Sequence, residues 1–224
     1  MRRSEILLGT LLVAIIAVIG ITALLLWFRP ALSRVSELGA SPTIVAEVAN
    51  NNGVVPEQNT PAYTAQMGYA VAQRRVVGWQ NDAALLSSSA TWSPGSTLEQ
   101  ILSGQVSWGF TFYSPGSNSV AIVSVADNAA AFVSQQPALT ALTPLPVSSW
   151  RIDSDDVIQA LFASGGREFL QREGDSTLTI TLSYNPTANR VEWFVSLIAQ
   201  QSGHSLTMLV NAADGAILEL DEIP

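Results

Sequence analysis

The chain has 224 residues, 48% of them apolar and 12% charged, which is enough apolar material for one larger domain or two small ones. It contains no cysteine, and this excludes disulfides, zinc–thiolate sites and cysteine nucleophiles. Beyond Pro42, six arginines face sixteen carboxylates. Because a surface with that excess of negative charge repels phosphate backbones, we expect no nucleic-acid partner.

The N-terminal segment Ile6–Phe28 contains no charged residue. A helix of this length, rising ~1.5 Å per residue, crosses the ~30 Å hydrocarbon core of a bilayer. Trp27 and Phe28 stand where an interfacial aromatic belt would lie. A cleavable signal peptide is the alternative, but its apolar region usually has ~7–15 residues. We therefore expect residues 1–29 to be a transmembrane anchor.

The charges that flank this segment predict its orientation. Arg2, Arg3 and the α-amine precede it, and Arg29 and Arg34 follow it. Because the more positive flank is usually retained in the cytoplasm, we expect a single-pass protein of the cell membrane whose C-terminal region lies outside the cytoplasm. Its contact with the membrane is then made by Ile6–Phe28 and the flanking arginines.

Residues 30–60 are rich in turn formers and are predicted to be a stalk. A first α+β unit, residues 61–133, begins with the helix-start signal Thr60-Pro61. The helix is predicted to continue through Tyr63, Met67, Ala70, Arg74 and Val77 on one side and to end near Gly78-Trp79. The predicted strands of the unit are Ala83–Trp92, Trp108–Tyr113 and Val120–Val125.

Residues 134–149, with three prolines, are predicted to be a linker. A second α+β unit, residues 150–224, follows with the same order of elements. Asp153 is placed to cap a helix over Ser154–Ser164, closed by Gly165-Gly166. The predicted strands of this unit are Thr177–Tyr184, Val191–Ile198, Ser205–Val210 and Ala216–Leu220. The fold class is thus α+β, each unit being a helix packed on an antiparallel sheet of three to four strands.

The two units show a weak internal repeat. Val106–Trp108 aligns with Val191–Trp193, and Ser119–Val123 aligns with Ser205–Leu209 after a slip of one residue. The repeat predicts that Trp108 and Trp193 are equivalent core residues.

The second unit resembles a PepSY domain, a small module of bacterial exported and membrane proteins. Its opening, Asp153–Ala160, fits the capped helix of that family, and Val210–Leu218 fits the closing strand-turn-strand, with Asn211 where the family usually has Asp. The resemblance covers residues 150–222, and the first unit departs further from the pattern. It implies a non-enzymatic binding or regulatory module, which in some relatives is proposed to restrain a protease.

Few residues of the chain are candidates for catalysis or metal binding. His204 is the only histidine and lies in a polar turn, so neither a Ser-His-Asp triad nor a two-histidine metal site is expected. Asp153, Asp155 and Asp156 are interpreted as charges at a helix start. We therefore expect no enzymatic activity and no cofactor, an enzyme with dispersed carboxylates being the weakest alternative.

Three tryptophans at the ends of predicted elements, Trp79, Trp92 and Trp150, are the candidate partner or ligand surface. They either hold the two units together or line a groove at their junction. The sequence thus predicts a membrane-anchored extracytoplasmic module that binds or regulates an envelope protein. The alternative is a receptor for a small apolar or peptide ligand held between the two units.

Overall fold

The computed structural model describes residues 63–224, and the dominant feature of this part of the chain is one antiparallel sheet of eight strands. The strands are β1 (Ala84–Trp92), β2 (Trp108–Ser114), β3 (Ser119–Ala126), β4 (Ala129–Pro137), β5 (Ser176–Asn185), β6 (Arg190–Ala199), β7 (Ser205–Asn211) and β8 (Ile217–Ile223). Their order across the sheet is β4-β3-β2-β1-β5-β6-β7-β8. The α+β class is confirmed, but each unit does not have a sheet of its own, because β1 pairs with β5. We call residues 63–137 the first half and residues 150–224 the second half.

Four α-helices accompany the sheet in the described residues: α1 (Ala65–Val77), α2 (Leu98–Leu102), α3 (Ser154–Leu161) and α4 (Arg167–Glu173). Buried side chains from all four join the inner face of the sheet in a single core. The alternation predicted for the strands is confirmed in that core, where Leu178, Ile180 and Leu182 of β5 are fully buried. Helices on one face of an antiparallel sheet leave its other face in contact with solvent.

The strand register shows how the two halves correspond. One row of paired residues runs across the first half through Ala90, Trp108, Val125 and Ala130. Its counterpart in the second half runs through Leu182, Trp193, Val210 and Ile217. Trp108 and Trp193 are therefore equivalent, as predicted. The predicted alignment of Ser119–Val123 in β3 with Ser205–Leu209 in β7 is wrong by one residue, because it would pair buried residues of one strand with exposed residues of the other.

Helix α1 begins at Ala65, and its N-cap is Thr64, whose Oγ1 accepts the Met67 N–H at 3.4 Å. Thr60 and Pro61, the predicted helix start, lie outside the described residues.

The side of α1 that carries Met67 and Val77 does not pack on the sheet, because Met67 is 44% exposed and Val77 is 61% exposed. The face that packs on the sheet consists of Ala65, Gly68, Ala72 and Val76. A Cβ on Gly68 would lie 3.1 Å from the Phe110 ring. Small residues thus face the aromatic side chains of the sheet, so the larger apolar residues of α1 do not mark its buried side.

The second half opens with two helices where one was predicted. α3 ends at Leu161, and the chain is kinked at Ser164 and Gly165, where a φ of 110° suits glycine, before α4 begins at Arg167. The predicted linker is also shorter, because β4 extends to Pro137 and takes up residues 134–137. The predicted anchor, Ile6–Phe28, and the stalk, residues 30–60, lie outside the described residues. Within residues 63–224 no helix is both long enough and apolar enough to cross a bilayer.

Candidate functional site

The three candidate tryptophans do not form one surface. Trp92 is 2% exposed, and its ring meets Trp108 edge-on with 6.4 Å between centroids. Trp150 is 5% exposed and meets Trp193 edge-on at 5.9 Å. Trp108 and Trp193 contact each other at 6.3 Å, so the four rings form a chain that crosses between the halves. In this arrangement Trp92 and Trp150 hold the halves together and present no surface to a partner.

The indole N–H groups of Trp150 and Trp193 share one acceptor. Both donate to the Ile152 carbonyl oxygen, at 3.0 Å and 2.9 Å. A carbonyl oxygen has two lone pairs and satisfies both donors. These two tryptophans are therefore fully bonded inside the core.

Trp79 is the partly exposed member of the three. It follows α1, and its ring meets the edge of Phe132 on β4 at 6.3 Å between centroids. The Arg75 guanidinium lies 5.1 Å from the centroid of the same Phe132 ring. Trp79 thus belongs to a patch beside the edge strand β4, away from the junction between the halves.

β4 is an edge strand without charge. Its nine residues include no Asp, Glu, Lys or Arg, and within the described residues only β3 pairs with it. A bulge opposite Ile122 and Val123 leaves Val133 65% exposed. The opposite edge, β8, carries Glu219, Asp221 and Glu222. Charged side chains discourage an edge strand from pairing with another chain. β8 is protected in this way, whereas the outer edge of β4 has neither charged residues nor a partner strand among residues 63–224.

Arg75, an exposed arginine, lies close to this open edge. Arg74 and Arg75 occupy the last turn of α1, where they complement the helix dipole. Neither forms a salt bridge with another residue of the range 63–224. The edge of β4 therefore carries a local positive charge on a protein that is otherwise acidic.

A cleft of about 300 Å³ opens between the two halves. The first half contributes Gly95 and Ser96 of the turn after β1 and Leu98 of α2, and the second half contributes Arg167, Leu170 and Asp175. Apolar and charged side chains thus face the same space. This combination is typical of sites that hold a small ligand or a peptide side chain.

Asp153 and Ser154 tie the start of α1 to the start of α3. Asp153 Oδ1 accepts the Ser154 N–H at 2.7 Å and the Gln66 N–H at 3.1 Å, and Ser154 Oγ accepts the Ala65 N–H at 2.9 Å. Burial raises the pKa of Asp153, and the hydrogen bonds from Thr64, Ser154 and Gln66 act against that rise. The predicted cap is confirmed, and it also serves a second helix.

His204 lies in the turn between β6 and β7, as predicted. Its Nδ1 is 3.1 Å from Glu173 Oε1, and Ser202 Oγ donates to Glu173 Oε2 at 2.7 Å. In a Ser-His-acid triad the serine bonds to the imidazole, whereas Ser202 bonds to the carboxylate. Hydrogen bonds from Arg172, Ser202 and His204 lower the pKa of Glu173 to about 2. The arrangement is that of a surface network built around one carboxylate.

Comparison with known proteins gives little to add to this geometry. No family model and no curated protein matches the chain. A solved structure from Clostridium difficile 630, provisionally described as a lipoprotein, is similar with a TM-score of 0.45 and 11% identity, covering 70% of this chain and 93% of the other. A similarity of this size supports no inference about function.

The sequence pattern does not reveal the open edge of β4, because the three prolines of residues 134–149 are typical of a linker. A usable signal was present, since the chain carries no charge from Asn128 to Trp150. In an acidic protein, such a stretch indicates a surface segment without charged side chains, and β4 lies within it.

Proposed function

We propose that the protein is a membrane-anchored, extracytoplasmic, non-catalytic module that binds and regulates an envelope protein by pairing β4 with an extended segment of that partner. The open, uncharged edge of β4 is the observation that carries this proposal. Addition of a strand to a sheet edge supplies main-chain hydrogen bonds along the whole segment, and side-chain contacts then give selectivity.

The neighbourhood of β4 indicates which segments would bind. Apart from Phe132 and Val133 the residues of β4 are small or polar. The Phe132 ring contacts Trp79 and the Arg75 guanidinium, which provide aromatic and cationic contacts beside the edge. Aromatic and arginine side chains commonly supply most of the binding energy at interfaces. An extended segment that carries an apolar residue and a nearby carboxylate fits this surface.

The remaining parts of the proposal rest on the sequence. The apolar segment Ile6–Phe28 would hold the described residues close to the membrane surface. The resemblance of residues 150–222 to PepSY domains supports a binding role over a catalytic one. In this arrangement the second half completes the sheet, and the first half presents the edge.

Site-specific photo-crosslinking tests the proposal in membranes of the native host. A photoreactive amino acid replaces Val133 on β4 in one variant of the full chain, and Leu220 on the protected edge β8 in a matched control, both positions being exposed. We expect a discrete crosslinked protein from position 133 that disappears when Ala131→Lys is added, because a charge on the edge discourages pairing. No crosslink at 133, or equal products from both edges, would contradict the proposal.

The cleft between the halves supports a second candidate, a receptor for a small or peptide ligand. Its volume of about 300 Å³ and its mixed lining are the observations that favour it. The same experiment distinguishes the two candidates when the photoreactive residue is placed at Leu170 in the cleft. A peptide or protein product from position 170 alone would assign binding to the cleft.

A further inference from the structure

Three hydrogen-bond donors are left without partners around one small cavity. They are the Tyr63 hydroxyl and the indole N–H groups of Trp92 and Trp108, each buried and unbonded within the described residues. All three side chains line the same cavity, and the two tryptophans are 2% and 1% exposed. Buried donors are rarely left unpaired, because each one costs the full penalty of its lost hydration. Three such donors in one place indicate a missing acceptor.

The cavity lies between the halves and has a volume of about 50 Å³. One water molecule needs roughly 10–15 Å³ by this kind of measure, so the space admits a group larger than one water. Ile101, Leu102 and Ile158 form its apolar wall, and Asp155 lines it as well. Gln159, which is exposed, also borders the cavity and marks the side on which solvent reaches it.

The chemistry of the lining selects the ligand. Two indole N–H groups and a phenol can donate to an oxygen, and burial raises the pKa of Tyr63, which keeps its hydroxyl protonated. A carboxylate ligand would meet the Asp155 carboxylate at close range and be repelled. A neutral amide avoids this conflict, because its oxygen, which has two lone pairs, accepts from two of the three donors while its N–H faces the acid. A methyl group on that amide would contact the isoleucines and the leucine.

We propose that this cavity is a binding site for an acetamido group, CH₃–CO–NH–, carried by an N-acetylated sugar or by an acetylated amine. The cavity is separate from the edge of β4, so a test of acetamido binding is independent of the test for a partner at that edge. It would make the protein a receptor for an acetylated small molecule or for the acetylated end of a larger one.

The test follows the indole N–H signals of the ¹⁵N-labelled full-length chain by NMR during titration with acetamide, N-acetylglucosamine and Nε-acetyl-lysine. We expect saturable shifts of the Trp92 and Trp108 signals. The Trp150 and Trp193 signals are internal controls, because their N–H groups already donate to Ile152. Glucose, which lacks the acetamido group, should shift none of them. A stronger response to the sugar or to the acetylated lysine identifies the source of the group.

The affinity of variants for acetamide is a second test of the site. Tyr63→Phe removes one donor and keeps the ring, and Trp92→Phe removes one donor and leaves a smaller aromatic ring, so acetamide should bind about two- to tenfold more weakly to each. Trp79→Phe, at the distant patch beside β4, should bind as the native chain does. The proposal is overturned if no titrant gives a saturable shift of Trp92 and Trp108. Acetate binding as tightly as acetamide would overturn the assignment of a neutral ligand, and equal shifts of all four indole signals would overturn the assignment of this site.

Discussion

Gly104 fixes the path by which the chain enters α1. Its φ is +70°, and a Cβ at this position would lie 2.1 Å from the Tyr63 carbonyl oxygen. Ser103, the preceding residue, accepts the Tyr63 N–H at 3.0 Å. The turn after α2 and the residue before Thr64 are therefore packed backbone against backbone. Only glycine satisfies both the dihedral angle and the close approach.

A pair of alanine variants separates these two requirements. Gly203 also has a positive φ, of +77°, but a Cβ there would meet nothing within 4 Å. Gly203→Ala should cost about 1–2 kcal/mol for the left-handed backbone alone. Gly104→Ala should cost clearly more, because the backbone of Tyr63 must also move. Thermal or urea unfolding of the two variants measures the difference, and equal losses would show that the close approach is unimportant.

At the scale of elements, the starts of α1 and α3 share their capping groups. The N–H groups in the first turn of a helix have no intrahelical partner. Here Asp153 and Ser154 from the second half accept N–H groups of Ala65 and Gln66 from the first half. This contact secures the helix that follows directly on the predicted stalk. It also makes the start of α1 depend on the second half being folded.

Removing the shared acceptor should therefore affect both helices. We expect Asp153→Ala to destabilise the protein by about 1–3 kcal/mol, since two donors lose their partner. Asp153→Asn should cost less, because the amide oxygen still accepts. Asp156→Ala, an exposed change on the same turn, should cost under about 1 kcal/mol. Amide hydrogen exchange at Gln66 should become faster in Asp153→Ala and stay unchanged in Asp156→Ala; faster exchange in both would indicate a general loss of stability.

The elements differ in how well the sequence predicts them, and the reason lies in what each one packs against. Alternating residues such as Leu178, Ile180 and Leu182 identify a strand because each lies on the buried face. The buried side of α1 cannot be recognised by large apolar residues, because it consists mostly of small ones, among them Gly68, where a Cβ would lie 3.1 Å from the Phe110 ring. No pattern in the sequence of either strand predicts that β1 pairs with β5. Trp92 and Trp150 lie at element ends in the sequence, yet tertiary packing buries both.

At the scale of the whole molecule, one sheet spans both halves, so neither half has a complete set of strand partners. β5 is uncharged over its ten residues and would become a bare edge without β1. Residues 150–224 expressed alone should therefore dimerise or aggregate. When residues 150–224 are coexpressed with residues 1–149 and the proteins are purified in detergent, the two fragments should form a 1:1 complex. Light scattering coupled to size-exclusion chromatography measures both states, and a stable monomer of residues 150–224 would refute this dependence.

The pairing of β1 with β5 also sets the order of events as the chain folds. Within each half, neighbouring strands follow one another in the chain, and such local contacts form early. Thr91 of β1 and Thr179 of β5 form a hydrogen bond across the central strand pair and are 88 residues apart in the chain. The pair can therefore form only after the ribosome has synthesised β5. Until then β1 is an edge strand of the first half, paired with β2 on one side only. When several chains refold at high concentration, β1 of one chain can meet β5 of another, so an intertwined dimer with exchanged halves is the misassembly that this topology favours.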